Sequence, residues 1–221
     1  MCIRDRRVPD AVVEWAEATI AAAHALGYVY REAMGRVLRG WALAVLGDPE
    51  QGIREIVAGL AASRGTGARM DDPHYLGLLA EAHLTAGDVD AGCSAEAEAL
   101  ELASRERSLF YEPELHRLDG ALHAAAGRAG VAEACLRRGL TRAREQGSAT
   151  LELRLATDLA RLLPDPTRAA AARADVAAAL ATFTEGFRTR DLREAAALLE
   201  DAQAMTPAPA NTRTSEPSTT R

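Results

Sequence analysis

Apolar and small residues recur along this chain with a period of forty residues. Leucine returns at Leu60, Leu100, Leu140 and Leu180. Small residues keep the same period in three further series, which are Gly40, Ala80, Gly120 and Ala160; Gly52, Gly92, Ala132 and Ala172; and Gly59, Ala99, Gly139 and Ala179. A register kept over four copies indicates a stacked repeat protein, because each unit can bury its apolar face only against the next.

The pattern predicts antiparallel helix pairs, each made of a helix A and a helix B. A helix over 9–25 with a broad apolar stripe comes first and ends at Gly27. The predicted pairs then cover about 28–46 with 49–64, 73–86 with 88–105, 112–126 with 129–146, and 148–163 with 166–186, and a last helix covers about 189–203. Within the first three pairs we expect turns at Gly47, Gly87 and Gly127, since glycine readily forms a left-handed helix end.

The small positions indicate where helices approach closely, because neither helix can carry a bulky side chain at such a crossing. The first small residue of a copy falls in helix A and the second in helix B, as for Gly120 and Ala132. We expect the third small residue of a copy, such as Gly139, to let helix B pack closely against helix A of the next pair. This spacing resembles the tetratricopeptide pattern, whose usual period is about 34. The resemblance implies an all-α, right-handed superhelix of antiparallel helix pairs.

The domain organisation follows from the repeat. We expect residues 1–8 to be a non-native or disordered lead-in, residues 9–203 to form the repeat domain, and residues 204–221 to be a disordered tail rich in Pro, Ser and Thr. The register places helix 9–25 at a helix B position, so the domain is expected to begin in mid-repeat. The outer face of that helix would lack a partner, which predicts a homo-oligomer formed through helix 9–25.

Composition and charge exclude several classes of function. Only 4% of residues are aromatic, and the net charge of −6 argues against a nucleic-acid partner. All 26 basic residues are arginine, which excludes a Walker-type phosphate loop, a kinase phosphate clamp and a pyridoxal Schiff base, since each needs lysine. No apolar run is long enough to span a membrane. The three widely spaced cysteines favour a reducing, cytoplasmic location.

The residues offer little for catalysis or for cofactor binding. The glycine-rich segment 65–70 lacks the third glycine and the preceding strand of a dinucleotide loop, so we expect a linker between repeats. His83 and His123 hold the same repeat position, where packing explains them better than metal binding. We therefore predict no catalytic residue, no cofactor and no metal.

Six residues are candidates for a groove that binds a partner, because they fall on the A helices that would line it. They are Met34, Trp41, His74, Glu81, Glu114 and Arg117. Glu114 and Arg117 form either a surface ion pair or a groove contact. Trp41 is either an aromatic anchor in the groove or a core residue.

The connecting sequences resemble the carboxy-terminal repeat region of large bacterial multidomain signalling proteins. The segments that carry this resemblance are 40–44, 75–82, 111–120 and 183–187. In such proteins, a class III nucleotide cyclase, a kinase or a DNA-binding domain is joined to a signalling ATPase and then to the repeats. The resemblance implies a non-catalytic regulatory module whose partner is a protein, a peptide or a fused catalytic domain.

Two alternatives stay open for the function. The chain is a fragment of a class III nucleotide cyclase or AAA-type ATPase whose catalytic domains are missing, or it is the repeat region of a DNA-binding transcriptional regulator. The upstream reading frame discriminates among these possibilities.

Overall fold

The computed structural model describes residues 8–106 and 109–204, and within them the regular structure is helical, with no strand. This confirms the predicted all-α, tetratricopeptide-like fold. A 3-10 turn at Leu109–Tyr111 precedes α6. The helices are α1 (Pro9–Leu26), α2 (Val29–Val45), α3 (Pro49–Gly65), α4 (Asp72–Ala86), α5 (Val89–Glu106), α6 (Glu112–Ala125), α7 (Ala129–Glu145), α8 (Ala149–Leu162), α9 (Pro166–Leu180) and α10 (Arg190–Ala204).

The helix pairs are confirmed, with ends that differ from the predicted ones by one residue at most, except at α9. The prediction that α9 reaches residue 186 is wrong, because the helix ends at Leu180. The segment 182–184 consists of weak helix formers. In addition, the Thr182 hydroxyl donates to the Ala179 carbonyl at 2.7 Å, and Gly186 adopts a φ of 78°. Residues 1–7 of the expected lead-in (1–8) and residues 205–221 of the expected tail (204–221) lie outside the described residues.

Glycine closes most of the helices at an interval of twenty residues. The glycines with positive φ include Gly27, Gly47, Gly67, Gly87, Gly127 and Gly147. At Gly27 the next amide, that of Tyr28, donates to the Ala23 carbonyl at 2.8 Å. An equivalent hydrogen bond, which also closes a turn of six residues, follows Gly127, where the Arg128 amide donates to the His123 carbonyl at 2.8 Å. Glycine suits this position because it adopts the left-handed conformation without a steric cost. The turns therefore occur between pairs as well as within them.

The predicted crossing of helices A and B at small residues is confirmed. A Cβ atom placed on Gly40 would lie 2.6 Å from the Gly52 carbonyl oxygen, and one on Gly52 would lie 2.4 Å from the Gly40 oxygen. In the third pair, a Cβ on Gly120 would lie 3.2 Å from the Ala132 oxygen and 2.8 Å from Leu136 Cγ. The backbones of α2 and α3, and of α6 and α7, are thus too close for a larger side chain.

The prediction for the third small position is wrong at Gly59. This residue was expected to face the following helix A, but its nearest neighbours are Val37 and the Ala33 carbonyl, which belong to α2 of its own pair. Gly139 lies between both partners, since a Cβ there would meet Leu155 of α8 at 2.8 Å and the Pro113 carbonyl of α6 at 3.1 Å. Helix B therefore needs two small positions against its own helix A, because the two helices stay close over several turns.

The stack curves with the A helices on its inner side. Helix α2 contacts α4, α4 contacts α6, α6 contacts α8, and α8 contacts α10. Among the described residues, successive B helices do not contact one another to this extent. We call the surface formed by α2, α4, α6, α8 and α10 the inner face.

Buried apolar side chains form two clusters rather than one. The first extends from Val12 to Leu122 through helices α1 to α6, and the second extends from Leu136 to Ala195 through α7 to α10. The division falls inside the third pair, where α6 and α7 nonetheless touch at Gly120. We call this division the seam.

Helix α1 packs on α2 with one side only. Val12, Ala16 and Ala23 are buried, whereas Trp15 on the flank of this buried stripe is 62% exposed. Over the described part of the chain, none of the helices combines the length and the apolar character needed to cross a membrane.

Replacing Gly52 with Ala is expected to lower the free energy of unfolding by about 1–3 kcal/mol, because the added methyl would overlap the Gly40 carbonyl and force the helices apart. Gly130→Ala is the matched control, since Gly130 is an exposed helical glycine with no atom within 4 Å of the added Cβ. It should raise the free energy by up to about 1 kcal/mol. Urea unfolding followed by circular dichroism measures both changes, and an equal effect of the two substitutions would contradict the close crossing.

Candidate functional site

All six residues predicted to line a groove belong to helices that form the inner face. Met34 and Trp41 are on α2, His74 and Glu81 are on α4, and Glu114 and Arg117 are on α6. Their exposure differs, because Trp41, Glu114 and Arg117 are buried while the other three are partly buried. The inner face is therefore built from a buried layer of large side chains beneath a partly exposed one.

Trp41 joins two A helices from within the core. Its side chain is 2% exposed, and the indole N–H donates to Glu81 Oε2 at 2.7 Å. The ring thus packs at the junction of α2 and α4 while its polar edge is satisfied by the next repeat. Of the two alternatives for Trp41, the structure places it in the core, so its ring is not exposed as an anchor for a partner.

His74 and Met34 lie toward the amino-terminal ends of their helices. The His74 ring stacks on Tyr111 with centroids 4.0 Å apart and planes inclined by 9°. Tyr111 in turn meets the edge of Phe110, whose side chain is 75% exposed. Met34 accepts a long contact from the Arg31 guanidinium at 3.7 Å. The stack of His74 on Tyr111 therefore links α4 to the start of the next pair, whereas the Met34 contact lies within α2.

Glu114 and Arg117 form a buried pair, which differs from the surface pair that the sequence suggested. The Arg117 guanidinium donates twice to Glu114, at 3.0 and 2.9 Å, and once to Asp158 of α8 at 3.1 Å. Burial alone would lower the pKa of Arg117, but the carboxylates of Glu114 and Asp158 outweigh it and raise the pKa well above its ordinary value. Arg117 is therefore a permanent positive charge that ties α6 to α8.

Arg154 extends this network to α10, and sequence reasoning missed it. Its Nη2 lies 2.7 Å from Asp191 Oδ2, and its Nη1 lies 3.8 Å from Glu114 Oε2. Burial opposes the charge, but Glu114 and Asp191 raise the pKa of Arg154 above its ordinary value. The sequence does contain a signal that could have identified Arg154, namely the forty-residue repeat. Arg154 stands forty residues after Glu114 and therefore holds the same repeat position. We call Glu114, Arg117, Arg154, Asp158 and Asp191 the charge network.

A cavity of about 380 Å³ opens beside the charge network, between α6, α7 and α8. Its polar walls are Arg117, Asp158 and Arg161, and its apolar walls include Ala121, Leu136 and Leu162. The Arg161 side chain is 44% exposed and that of Asp158 is 30% exposed, so the polar wall reaches solvent. The volume falls in the range of about 300–1,000 Å³ found for ligand pockets.

A second cavity of similar size lies on α3, α4 and α5. Its volume is about 390 Å³, and its lining includes Arg64, Arg69, Asp72 and Glu98, with Leu102 as the one large apolar wall. Arg64 already donates to Asp72 at 2.7 Å and to Glu98 at 2.9 Å. This cavity lacks the apolar walls that a recognition pocket usually has.

Glu96 is a fully buried carboxyl group on α5. It is 0% exposed, and neither carboxylate oxygen has a hydrogen-bond partner. Burial, together with the charges of Asp119 and Glu114, raises the pKa of Glu96 well above its ordinary value although Arg117 opposes the shift. Gly77 lies nearby, since a Cβ there would be in ordinary contact with Glu96 Oε2 at 3.9 Å and would overlap only with Leu115 Cδ2, at 2.7 Å. Glu96 is therefore expected to stay protonated in the folded protein.

Asp119, His123 and Cys135 bring three possible metal-binding atoms within 4.8 Å of one another. However, the Arg128 guanidinium donates to His123 Nδ1 at 2.7 Å, and the Cys135 thiol donates to Asp119 at 3.0 Å. Burial and this hydrogen bond raise the pKa of Cys135 to about 12, which keeps it a thiol. A neutral imidazole has one lone pair, and here Arg128 occupies it, so the hydrogen bonds favour a packing role.

Asp191→Ala is expected to lower the free energy of unfolding by about 3–5 kcal/mol, because it removes the carboxylate that lies 2.7 Å from the buried Arg154 guanidinium. Glu50→Ala, which removes an ion pair with 67% and 88% exposed side chains, should change it by less than about 1 kcal/mol. Urea unfolding measures both. Combining Asp191→Leu with Arg154→Met should restore much of the loss, and a double variant no better than Asp191→Ala would contradict the unpaired-charge explanation.

Glu96→Gln is expected to make unfolding less sensitive to pH. The raised pKa means that the unfolded chain releases a proton above about pH 4.5 while the folded chain keeps it. The stability contributed by Glu96 should then be complete below about pH 4.5 and be lost by about 1.4 kcal/mol per pH unit as the pH rises toward the folded pKa. The advantage of the variant over wild type should therefore grow as the pH rises above about 4.5 in urea titrations. Glu50→Gln serves as the exposed control, and an advantage that is constant with pH would contradict the assignment.

Comparisons with known proteins show the fold of this chain. Neither a protein-family model nor a curated protein sequence matches it. The structure of BtubC (BKLC) from P. vanneervenii superimposes with a TM-score of 0.67 at 14% identity, covering 96% of this chain and 99% of that one. A putative kinesin light chain from Podosopora anserina, with nearly identical TPR-like repeats, gives a TM-score of 0.53 at 17% identity over 82% of this chain and 94% of that one. The chain therefore has a tetratricopeptide-like helical repeat fold.

Proposed function

We propose that this protein is a non-catalytic interaction module that binds a peptide segment of a partner protein along its inner face. The observation that carries the proposal is the cavity of about 380 Å³ between α6, α7 and α8, which combines apolar walls with charged groups at the solvent edge. Such a combination is typical of recognition pockets, where apolar contact supplies affinity and a few polar groups fix orientation.

The charged groups beside the cavity keep fixed protonation states, and this supports ligand recognition rather than proton transfer. Arg117 is held by Glu114 and Asp158, and Arg154 is held by Asp191. Both guanidinium groups keep their charge, because the surrounding carboxylates raise their pKa. A network of this kind is a rigid support for a ligand, since side chains that are already ordered lose little entropy on binding.

The wider setting that we propose is a regulatory role in a bacterial signalling protein, with the partner being a separate protein or a fused catalytic domain. Its support is the resemblance of segments 40–44, 75–82, 111–120 and 183–187 to the repeat regions of such proteins. The resemblance does not distinguish a nucleotide cyclase or AAA-type ATPase from a transcriptional regulator as the parent. The upstream reading frame in the genome decides between them, because each parent would encode a different domain there.

Self-association through α1 is a second part of the proposal. Its support is the exposed side of that helix, where Trp15 is 62% exposed, and Val8 is 45% exposed. Large exposed apolar groups commonly mark contact surfaces. This surface is separate from the cavity, so self-association and peptide binding are compatible.

Peptides selected from a random display library on the wild-type protein provide the test of inner-face binding. Arg161→Glu should weaken the binding of selected peptides at least tenfold, because it reverses a charge at the rim of the cavity. Arg54→Glu on α3 is the matched control, since the Arg54 side chain is 67% exposed on a B helix away from the inner face. Fluorescence anisotropy with labelled peptides measures the dissociation constants.

Selection that yields no peptide above background would contradict the proposal. Equal weakening by Arg161→Glu and Arg54→Glu would also contradict it, because binding would then depend on net charge rather than on the inner face.

A further inference from the structure

One repeat position distinguishes the junctions between neighbouring A helices. It is occupied by Trp41, Glu81, Ala121 and Arg161, which stand forty residues apart on α2, α4, α6 and α8. We call it the junction position. Three of the four residues have long side chains, and the fourth is alanine.

The long side chains at the junction position connect successive helices. Trp41 reaches Glu81 of α4 at 2.7 Å, and Arg161 reaches Glu194 of α10 at 3.4 Å. The Glu81 carboxylate that accepts the Trp41 bond also contributes to the raised pKa of Arg117 on α6. At this position a side chain of the protein itself therefore bridges α2 to α4 and α8 to α10.

The junction between α6 and α8 is different at this position, because Ala121 cannot extend beyond its methyl group. These two helices are joined instead by Arg117, which donates to Asp158 at 3.1 Å. The cavity of about 380 Å³ lies at this junction, and Ala121 forms part of its wall. Where the first junction contains a buried indole ring, the third therefore contains open space. Asp158 supplies a carboxylate here, as Glu81 does for the Trp41 indole.

We infer that this cavity binds an aromatic side chain bearing a hydrogen-bond donor, a tryptophan or a tyrosine, from a partner peptide. This inference rests on the proposed function and names the chemistry of the partner at the same site. The ring packs between Leu136 and Leu162 beside Ala121, and its N–H or O–H donates to Asp158.

The charges at the cavity favour an aromatic group over an aliphatic one. Arg117 and Arg161 both line it, and guanidinium groups interact favourably with the face of an aromatic ring, most strongly with tryptophan. An aliphatic side chain would fill the apolar part but leave Asp158 without a new donor and the guanidinium groups without a ring. The cavity on α3, α4 and α5 has a similar volume but one large apolar wall, so it serves as an internal negative control.

The first experiment is a titration with N-acetyl-tryptophanamide, with N-acetyl-leucinamide as the matched aliphatic probe. Methyl signals of Ala121, Leu136 and Leu162 in nuclear magnetic resonance spectra report on the cavity. The tryptophan probe should shift these signals and bind at least tenfold more tightly than the leucine probe, while the methyl groups of Leu102 should not shift. Equal shifts by the two probes, or none at these methyl groups, would overturn the inference.

The second experiment fills the cavity from within. Ala121→Trp places a ring at the junction position and is expected to abolish the shift by N-acetyl-tryptophanamide and to weaken aromatic display peptides at least tenfold. Ala61→Trp, at an exposed position of α3, is the control that should leave both unchanged. Should Ala121→Trp fail to fold, the comparison of the two probes on the wild-type protein still decides the question.

The outcomes separate this inference from the proposed function. Peptides that depend on Arg161 but keep their affinity when their tryptophan or tyrosine is changed to alanine would overturn the aromatic pocket and leave inner-face binding intact. Peptides that lose at least tenfold in affinity on that change, and on Ala121→Trp, support the pocket. Failure to select any peptide counts against the proposed function, and the small-molecule titration then decides the pocket independently.

Discussion

The fold depends on the close approach of two helix backbones within each pair. At Gly40 and Gly52 a single added carbon atom would come within about 2.6 Å of the opposing carbonyl oxygen. Such proximity lets the helices pack over several turns with small side chains, which explains how a chain with 49 alanines and few aromatic residues builds a stack. The short distance also fixes the direction in which the A helices point, and hence the inner face.

Neighbouring repeats are held together by apolar packing in one part of the stack and by charge pairing in another. Toward the amino terminus, the junction of α2 and α4 is filled by Trp41, whose ring is almost entirely buried. Toward the carboxyl terminus, the junctions of α6, α8 and α10 depend on Arg117 and Arg154 with their carboxylate partners. Buried ion pairs demand accurate geometry, since an unpaired charge in the interior is strongly destabilising. This half of the stack is therefore more specific in its arrangement than an alanine-rich composition suggests.

The sequence predicted the repeat, the helix pairs and the crossing at Gly120 and Ala132 because these depend on local spacing. It did not predict the end of α9, which depends on the threonines and on Gly186 after Leu180. It placed the candidate residues on the inner face but not their burial, because burial of Trp41 and Glu114 depends on neighbouring helices. The charge network was not predicted for the same reason, since Arg154 donates to Asp191, which lies 37 positions later in the sequence on another helix. The sequence also did not predict the cavity. An alanine at position 121 indicates open space only when it is compared with Trp41, which fills the same repeat position with a ring.

The seam between the two apolar clusters has a consequence for cooperativity. In a linear array, each unit is stabilised by its neighbours, so the weakest interface determines where the array separates into independently unfolding parts. Here the apolar interior is interrupted between α6 and α7, and the cavity touches both helices as well as α8. A ligand held there adds contacts on both sides of the interruption. Occupancy would thus strengthen the coupling between the two apolar clusters, adding to the close crossing of α6 with α7 and to the ion pairs between α6 and α8.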